Sequence, residues 1–145
     1  MKLTEEIKNK IKEEYESWFE SQYGGVNKKR RKELGAVFTP PSITIEMIEM
    51  FDNLDGSILD PCCGSGNLLA GCILAGADPN NIYGNEYEEE FVKLCQDRLE
   101  KFGVPRWHIH QGDATKAECI SFDSFKPDYE KPKEYHQVSL WDLQM

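Results

Sequence analysis

Apolar side chains recur at spacings of three and four between residues 4 and 22, which predicts a helix with one apolar face. Thr4 stands where a side-chain cap is expected, and Gly24-Gly25 is expected to end the section. A second helix is predicted after Pro40-Pro41, with Ser42 as its cap. Its expected apolar stripe consists of Ile43, Ile45, Met47, Ile48 and Phe51.

Short apolar runs then alternate with helical patterns. Residues 57–60, 82–84 and 107–110 are predicted to be strands, and residues 67–74 and 88–101 helices. Strands that alternate with helices in this way predict an α/β fold with a parallel sheet and helices on its faces. The pattern fades beyond residue 114, and we expect a loop or an irregular strand over residues 121–136.

Length and charge limit the functions that fit. The 145 residues suffice for one domain, and the net charge of −9 argues against a protein that grips long nucleic acid with its whole surface. One basic cluster opposes this trend, and it is either a solvated loop or a contact for phosphates. The cluster consists of Lys28, Lys29, Arg30, Arg31 and Lys32.

The chain has no apolar stretch of membrane-spanning length, and its N-terminus is charged, so a cytoplasmic protein is expected. Its five cysteines include the adjacent pair Cys62 and Cys63 and no CxxC spacing, which favours reduced thiols over a disulfide framework or a zinc site. His108 and His110 lack partners at metal-ligand spacing and are interpreted as structural or solvent-facing. No metal site is predicted.

The turn from Asp60 to Gly66 is the first candidate binding element. A glycine-rich turn between a buried strand and a helix lets a ligand approach the backbone closely. The dinucleotide fingerprint would need a glycine at position 69, but this residue is leucine, which argues against NAD and FAD. The structural alternatives are a tight turn for Gly64 and Gly66 and a helix cap for Asp60.

Two further carboxylates follow the next two predicted strands. Glu86 ends the second strand, where a ribose would present its hydroxyl groups, and Asp113 follows the third, where an adenine edge would lie. Because the carboxyl ends of parallel strands share one edge of the sheet, Asp60, Glu86 and Asp113 are predicted to line one crevice.

Four motifs in this order resemble the S-adenosylmethionine-binding motifs of the N6-adenine DNA methyltransferases in which a Phe-Thr-Pro motif comes first. They lie at residues 38–41, 60–67, 85–86 and 112–114, and the resemblance covers roughly residues 33–115. It implies a truncated class I methyltransferase (Rossmann-like) fold of three to four strands behind an N-terminal helix. S-adenosylmethionine is the implied cofactor.

The resemblance also implies roles for single residues. Phe38, Thr39 and Pro40 would pack on the cofactor, while Asp60 and the backbone of Gly64 and Gly66 would hold its methionine end. Glu86 would bind the ribose hydroxyls and Asp113 the exocyclic amine of the cofactor's adenine. The other turn residues assigned to this site are Pro61, Cys62 and Asn67.

The sequence departs from this family at the motif that holds the target base. The family uses Asn-Pro-Pro-Tyr or a close variant, and the nearest segment here is Lys126-Pro127-Asp128-Tyr129. Lys126 can donate but cannot accept a hydrogen bond from the adenine amine, so this segment is a degenerate candidate for catalysis.

We therefore expect a shortened or partial methyltransferase that is inactive alone, from a phage or a restriction-modification system. The first alternative is one subunit of a split enzyme whose partner recognises the base. The second is a noncatalytic interaction module for a DNA-processing protein.

The last residues resemble the peptide by which bacterial replication and repair proteins dock on a sliding clamp, with Gln137 setting the register for Leu140 and Trp141. The alternative is an apolar tail that packs on its own domain. The expected organisation is an N-terminal helix and basic loop (1–34), a cofactor-binding domain (35–119) and an irregular segment with this peptide (120–145).

The first predicted strand would have an unpaired edge at Ile58 and Leu59. We expect either residues 120–125 to return as a fourth strand, or a homodimer or second methyltransferase subunit to cover this edge.

Overall fold

A three-stranded parallel sheet forms the centre of the computed structural model, which describes residues 1–22, residues 38–116 and Phe125. Within these residues the elements, in chain order, are α1 (Glu5–Gln22), α2 (Pro41–Glu49), β1 (Ile58–Asp60), α3 (Asn67–Leu74), a 3-10 turn (Pro79–Asn81), β2 (Ile82–Glu86), α4 (Glu89–Glu100), a second 3-10 turn (Arg106–His108) and β3 (Ile109–Gln111).

The strands follow the order β1-β2-β3, and β2 pairs in parallel with both neighbours. Ile58 lies opposite Ile82, and Gly84 lies opposite Ile109. A helix connects each strand to the next, so the carboxyl ends of all three strands meet at one edge. The predicted α/β fold with a parallel sheet is confirmed.

The N-terminal helix α1 is part of the core. The Thr4 hydroxyl oxygen accepts a hydrogen bond from the backbone N–H of Ile7 at 3.2 Å, which is the expected cap. Ile11 and Trp18 are buried on its inner face. The α-amino group of Met1 donates to the carbonyl oxygen of Glu49 at 3.0 Å, which ties the start of the chain to the end of α2.

The second helix differs from its prediction. Pro41 is the first helical residue and Pro40 precedes it in extended conformation, so Ser42 lies inside the first turn and is not the cap. Proline at the first helical position has the required φ and gives up an N–H that would have had no partner in the helix. The expected stripe is also wrong in part, since Ile43 and Met47 are exposed.

The inner face of α2 consists of Thr44, Ile45 and Ile48, whereas Ile43, Met47 and Phe51 are 39–43% exposed. Ile43 and Met47 lie four residues apart on the exposed side of the helix, and Phe51 lies just beyond its end. Alternative apolar lines on a short helix cannot be told apart by spacing alone, because only the neighbouring elements decide which line is buried.

The third strand begins later than predicted. Arg106–His108 is a 3-10 turn, in which the His108 N–H donates to the Pro105 carbonyl at 3.0 Å, and only then does β3 start. The His108 ring nitrogen Nδ1 lies 2.9 Å from the carbonyl oxygen of Ile82, and the ring stacks on Tyr83 at 4.3 Å. His108 thus occupies the place beside β2 that a strand residue was expected to fill.

One apolar core joins all four helices to the sheet. Its buried members include Ile11, Ile45, Ile48, Leu69, Cys72, Ile82, Val92, Cys95, Leu99 and Ile109. On the opposite side of β2, the ring of Phe125 lies edge-on to Tyr83 at 5.4 Å and is tilted against His110 at 5.7 Å. The remaining residues of the expected fourth strand, 120–124, lie outside the described part of the chain.

No helix among the described residues is long and apolar enough to cross a membrane.

Candidate functional site

Two adjoining clefts lie at the carboxyl ends of the strands. The first, of about 300 Å³ including space open to solvent, is bounded by the segment before α2 and the turn after β1. The second, of about 410 Å³, lies among the loops that follow β1, β2 and β3. Cys62 lines both clefts, so they meet at the glycine-rich turn.

The residues of the first cleft come from two stretches of the chain and are Phe38, Thr39, Asp60, Cys62, Cys63, Gly64, Ser65, Asn67 and Leu68. The residues of the second cleft follow the three strand ends and are Pro61, Cys62, Asn85, Glu86, Tyr87, Gly112, Asp113, Ala114 and Thr115.

The glycine-rich turn uses its two glycines differently. Both have positive φ, 54° at Gly64 and 88° at Gly66, where other residues are strained. A Cβ at Gly66 would lie 2.9 Å from the Cys95 Sγ, so this glycine permits close packing between the turn and α4. A Cβ at Gly64 would meet nothing within 4 Å, which leaves the space beside the first cleft open to a ligand.

Glu86 is fixed at the end of β2 by backbone donors. Its Oε1 accepts from the N–H of Gly64 at 3.2 Å, and its Oε2 accepts from the N–H of Glu88 at 2.6 Å. A carboxylate has about four lone-pair sites, and two of them are used here. The side chain is therefore oriented in the second cleft and can still accept hydrogen bonds from a ligand.

Asp60 and Asp113 lie in opposite electrostatic settings. Burial raises the pKa of Asp60, and this effect outweighs the hydrogen bond that its Oδ1 accepts from the Cys62 N–H at 3.0 Å. Hydrogen bonds from the hydroxyl and the N–H of Thr115, at 2.6 and 2.9 Å, hold the pKa of Asp113 below its ordinary value. Asp113 is thus stabilised as a carboxylate. Burial disfavours the ionised form of Asp60, and a cationic ligand would stabilise that form.

Asn67 joins the two walls of the first cleft. Its Nδ2 donates to the Thr39 carbonyl oxygen at 2.9 Å, across from the turn that carries Asn67 itself. The neighbouring Phe38 ring is half-buried and packs edge-on between Trp18 and Phe91, with centroid distances of 5.6 and 5.3 Å. The Phe-Thr segment is therefore held in place by both polar and aromatic contacts.

The structure brings most of the predicted site residues into the clefts. The two exceptions are Pro40 and Gly66. The Pro40 carbonyl accepts hydrogen bonds from the N–H groups of Ile43 and Thr44, both at 3.1 Å, so this residue starts α2. Gly66 precedes α3 as its N-terminal cap. Their places in the structure are at helix starts rather than on a cleft wall.

Asn85 belongs to the motif at residues 85–86, but the sequence analysis gave this residue no role in the site. Its buried Nδ2 donates to the carbonyl oxygens of Pro61 and Gly112, at 3.1 and 3.0 Å. Its Oδ1 is left to accept from Nδ1 of His110 at 3.0 Å. It therefore joins the loops on both sides of the second cleft. The available signal in the sequence was an amide between the predicted strand 82–84 and Glu86.

The thiols of Cys62 and Cys72 are held in the neutral form. Burial, and then the negative charges of Asp60, Glu86 and Asp113, raise the pKa of the Cys62 thiol, and burial raises that of Cys72 to about 11. Neutral thiols are poor nucleophiles and poor metal ligands. Within the described residues, no group of three His, Cys, Asp or Glu side chains is arranged to hold a metal ion.

Three sets of predicted residues lie outside the described part of the chain, and their roles stay predictions. They are the basic cluster at 28–32, the degenerate base-holding segment at 126–129, and the clamp-like residues Gln137, Leu140 and Trp141.

The chain is similar to known methyltransferases. The N-6 DNA methylase family matches over residues 9–138. Type II methyltransferase M.VspI from Vibrio sp. (strain 343) is 31% identical over 86 residues, which is 57% of this chain and 21% of that protein. A tRNA (guanine(10)-N2)-dimethyltransferase from Pyrococcus abyssi (strain GE5 / Orsay) is 35% identical over 77 residues, which is 53% of this chain and 22% of the relative.

The matched segment spans about a fifth of the length of either relative. No solved structure matches the chain. The family match covers most of the sequence and includes every strand of the sheet and both clefts, and it shows that the chain belongs to the N-6 DNA methylase family.

Proposed function

We propose that the chain binds S-adenosylmethionine across the two clefts, with the nucleoside in the second cleft and the methionine end in the first. The observation that carries this proposal is the convergence of Asp60, Glu86 and Asp113 on two clefts that meet at Cys62. A long ligand with an adenosine at one end and an amino acid at the other matches two joined clefts better than a compact one.

The second cleft fits a nucleoside. Glu86 is oriented by two N–H donors and retains acceptor capacity for the two hydroxyl groups of a ribose. Asp113 is held as a carboxylate and accepts hydrogen bonds from an adenine amine. Asn85 holds the flanking loops at a fixed separation, so the cleft exists before the ligand arrives.

The first cleft fits the methionine end. Asp60 is a partly buried carboxylate with a raised pKa, and the ammonium group of an amino acid would supply the positive charge that it lacks. Gly64 leaves backbone accessible beside it. Asn67 and Thr39 keep the two walls together while a ligand enters between them.

When bound, S-adenosylmethionine supplies a methyl group that can be transferred to a nucleophile. The chain's own residues would bind and orient the two ends of the molecule. We propose the exocyclic amine of adenine in DNA as the acceptor. The family match and the Type II methyltransferase relative support this choice, and the guanine amine in the second relative's name is the alternative acceptor.

Base recognition is the second part of the proposal. Lys126 stands where the family resemblance calls for a side chain that accepts a hydrogen bond from the amine, and lysine has no acceptor. We propose that another chain supplies this group, as in a split enzyme. Methyl transfer to DNA that requires a second chain supports this view, whereas transfer by this chain alone contradicts it.

Calorimetric titration with S-adenosylhomocysteine tests cofactor binding. Glu86→Ala is expected to weaken binding by about 1–3 kcal/mol, because it removes a charged acceptor from the ribose hydroxyls. Glu89→Ala is the matched control, since it removes the same charge from an exposed side chain nearby. Failure of the wild-type chain to bind, or equal affinity in the wild type and Glu86→Ala, would refute the placement.

A further inference from the structure

Arg98 carries a full positive charge on α4 but is only 3% exposed. Such a buried charge is unfavourable unless it is paired and hydrogen-bonded. Its pairing comes from α1, which lies 84 residues earlier in the chain. Nε and Nη2 donate to the two carboxylate oxygens of Glu14, at 2.8 and 2.5 Å, and the guanidinium lies 4.5 Å from the centroid of the Trp18 ring.

The other edge of the same guanidinium faces the glycine-rich turn. Nη1 donates to the carbonyl oxygen of Ser65 at 3.3 Å and to Oδ1 of Asn67. With Oδ1 used in this way, the Asn67 amide nitrogen is directed to the Thr39 carbonyl, with which it makes a hydrogen bond of 2.9 Å. One side chain thus connects α1 to both walls of the first cleft.

We propose that Arg98 is a positioning residue for the methionine end of the cofactor, and that α1 completes the first cleft through Glu14. The inference rests on the proposed function. It adds α1, which precedes all the binding motifs in the chain, to the elements that support the cofactor site. Neither Arg98 nor Glu14 lines a cleft, so both act through Ser65 and Asn67. The planar guanidinium, unlike an ammonium group, binds Glu14 and the turn at the same time.

The second cleft has its own supports. Asn85 holds the loops after β1 and β3, Oε2 of Glu86 is fixed by the N–H of Glu88, and Arg98 makes no hydrogen bond to any of these groups. Loss of the Glu14–Arg98 pair should therefore disturb the methionine end and leave the nucleoside end intact. This asymmetry separates a positioning role from a general contribution to folding.

The test compares two ligands by calorimetry on the full chain. S-adenosylhomocysteine occupies both clefts, whereas 5′-methylthioadenosine lacks the amino acid and needs only the second. Glu14→Gln is expected to weaken S-adenosylhomocysteine binding about tenfold, the scale of one charged hydrogen bond, with the affinity for methylthioadenosine unchanged. Glu13→Gln removes the same charge from an exposed neighbour on α1 and should change neither affinity.

Arg98→Lys is the second variant. It should weaken S-adenosylhomocysteine binding at least as much, because lysine keeps the charge but lacks the planar set of N–H donors that binds Glu14 and the turn together. Thermal melting of each variant checks folding, and Glu14→Gln alone suffices if Arg98→Lys does not fold. Equal loss of both ligands in Glu14→Gln, or no loss of either, would overturn the inference while the proposed function stands. If the wild type binds neither ligand, the proposed function fails first and the inference with it.

Discussion

Asp60 is a carboxylate that the fold keeps partly out of water with one backbone donor as its partner. At the scale of single residues, this arrangement sets up a site that prefers a cation, since burial penalises the charged form until a positive group arrives. Glu86 and Asp113 need no such group, because backbone and hydroxyl donors already bind them. The three carboxylates therefore differ in what they can recognise.

The first prediction at this scale concerns pH. The raised pKa of Asp60 means that this group is partly protonated in the free protein just above the ordinary carboxylate range. Ammonium binding favours the ionised form, so binding releases protons, and the affinity for S-adenosylhomocysteine should increase as the pH rises above the ordinary carboxylate range and through the raised pKa of Asp60. Calorimetry in buffers of different ionisation enthalpy measures both effects.

Asp60→Asn should bind more weakly and lose this pH dependence. Asp113→Asn should retain it, because the lowered pKa of Asp113 keeps that group ionised throughout the window. An affinity that is flat in pH for the wild type, or a slope that survives in Asp60→Asn, would contradict the assignment of Asp60.

Residue-level prediction from sequence worked where the signal is local. The position of the three carboxylates at one edge of the sheet could be predicted because each lies at or just after the end of a predicted strand, and strand ends can be located from short-range periodicity. Their roles in binding stay predictions. Arg98 and Glu14 could not be paired in advance, because their contact depends on how α1 packs against α4 across 84 intervening positions. Nothing in the sequence near either residue indicates the other.

Among the helices and strands, α2 and α3 are the pair whose packing depends most clearly on one glycine. A Cβ at Gly71 would lie 2.6 Å from Cγ2 of Thr44 and 3.0 Å from Cδ1 of Ile48. Gly71 lies inside α3, where alanine is the better helix former. Helix propensity and tertiary packing therefore predict opposite effects of Gly71→Ala on the stability of the fold.

We expect Gly71→Ala to destabilise the fold. Helix propensity would stabilise it by up to about 1 kcal/mol, while the forced displacement of two buried side chains costs about 1–3 kcal/mol. Urea denaturation measures the net free energy of unfolding. Thr44→Ser removes the crowded methyl group, so the loss caused by Gly71→Ala should be smaller in that background, and a more stable Gly71→Ala would contradict the packing argument.

Helices and strands were predicted best where a sequence pattern is compatible with only one local structure. The capping of α1 by Thr4 and the alternation of strands with helices were confirmed, since both depend on neighbours in sequence. The start of β3 was wrong because Arg106–His108 forms a 3-10 turn directly before the strand, and the sequence pattern did not separate this turn from the strand. The predicted apolar stripe of α2 was wrong in part, because spacing alone does not decide which of its residues face the neighbouring elements.

At the scale of the whole molecule, the edge of the sheet where the strands end determines where the two clefts lie. Three parallel strands bring their carboxyl ends together, and the clefts form between the loops that leave them. The helix α1 belongs to the segment 1–34 that the sequence analysis set before the cofactor-binding domain. Its residues Ile11 and Trp18 are buried, and Ile11 belongs to the core that it shares with the sheet. Its contacts with α4 make it part of the structure that supports the first cleft.

A crystal structure of the chain with S-adenosylhomocysteine tests the central claim most directly. The account predicts the ribose hydroxyls within hydrogen-bond distance of Glu86, the adenine amine beside Asp113, and the amino acid end in the first cleft near Asp60 and Asn67. Density for the ligand outside the two clefts, or a reversed orientation with the adenine against Asp60, would contradict it.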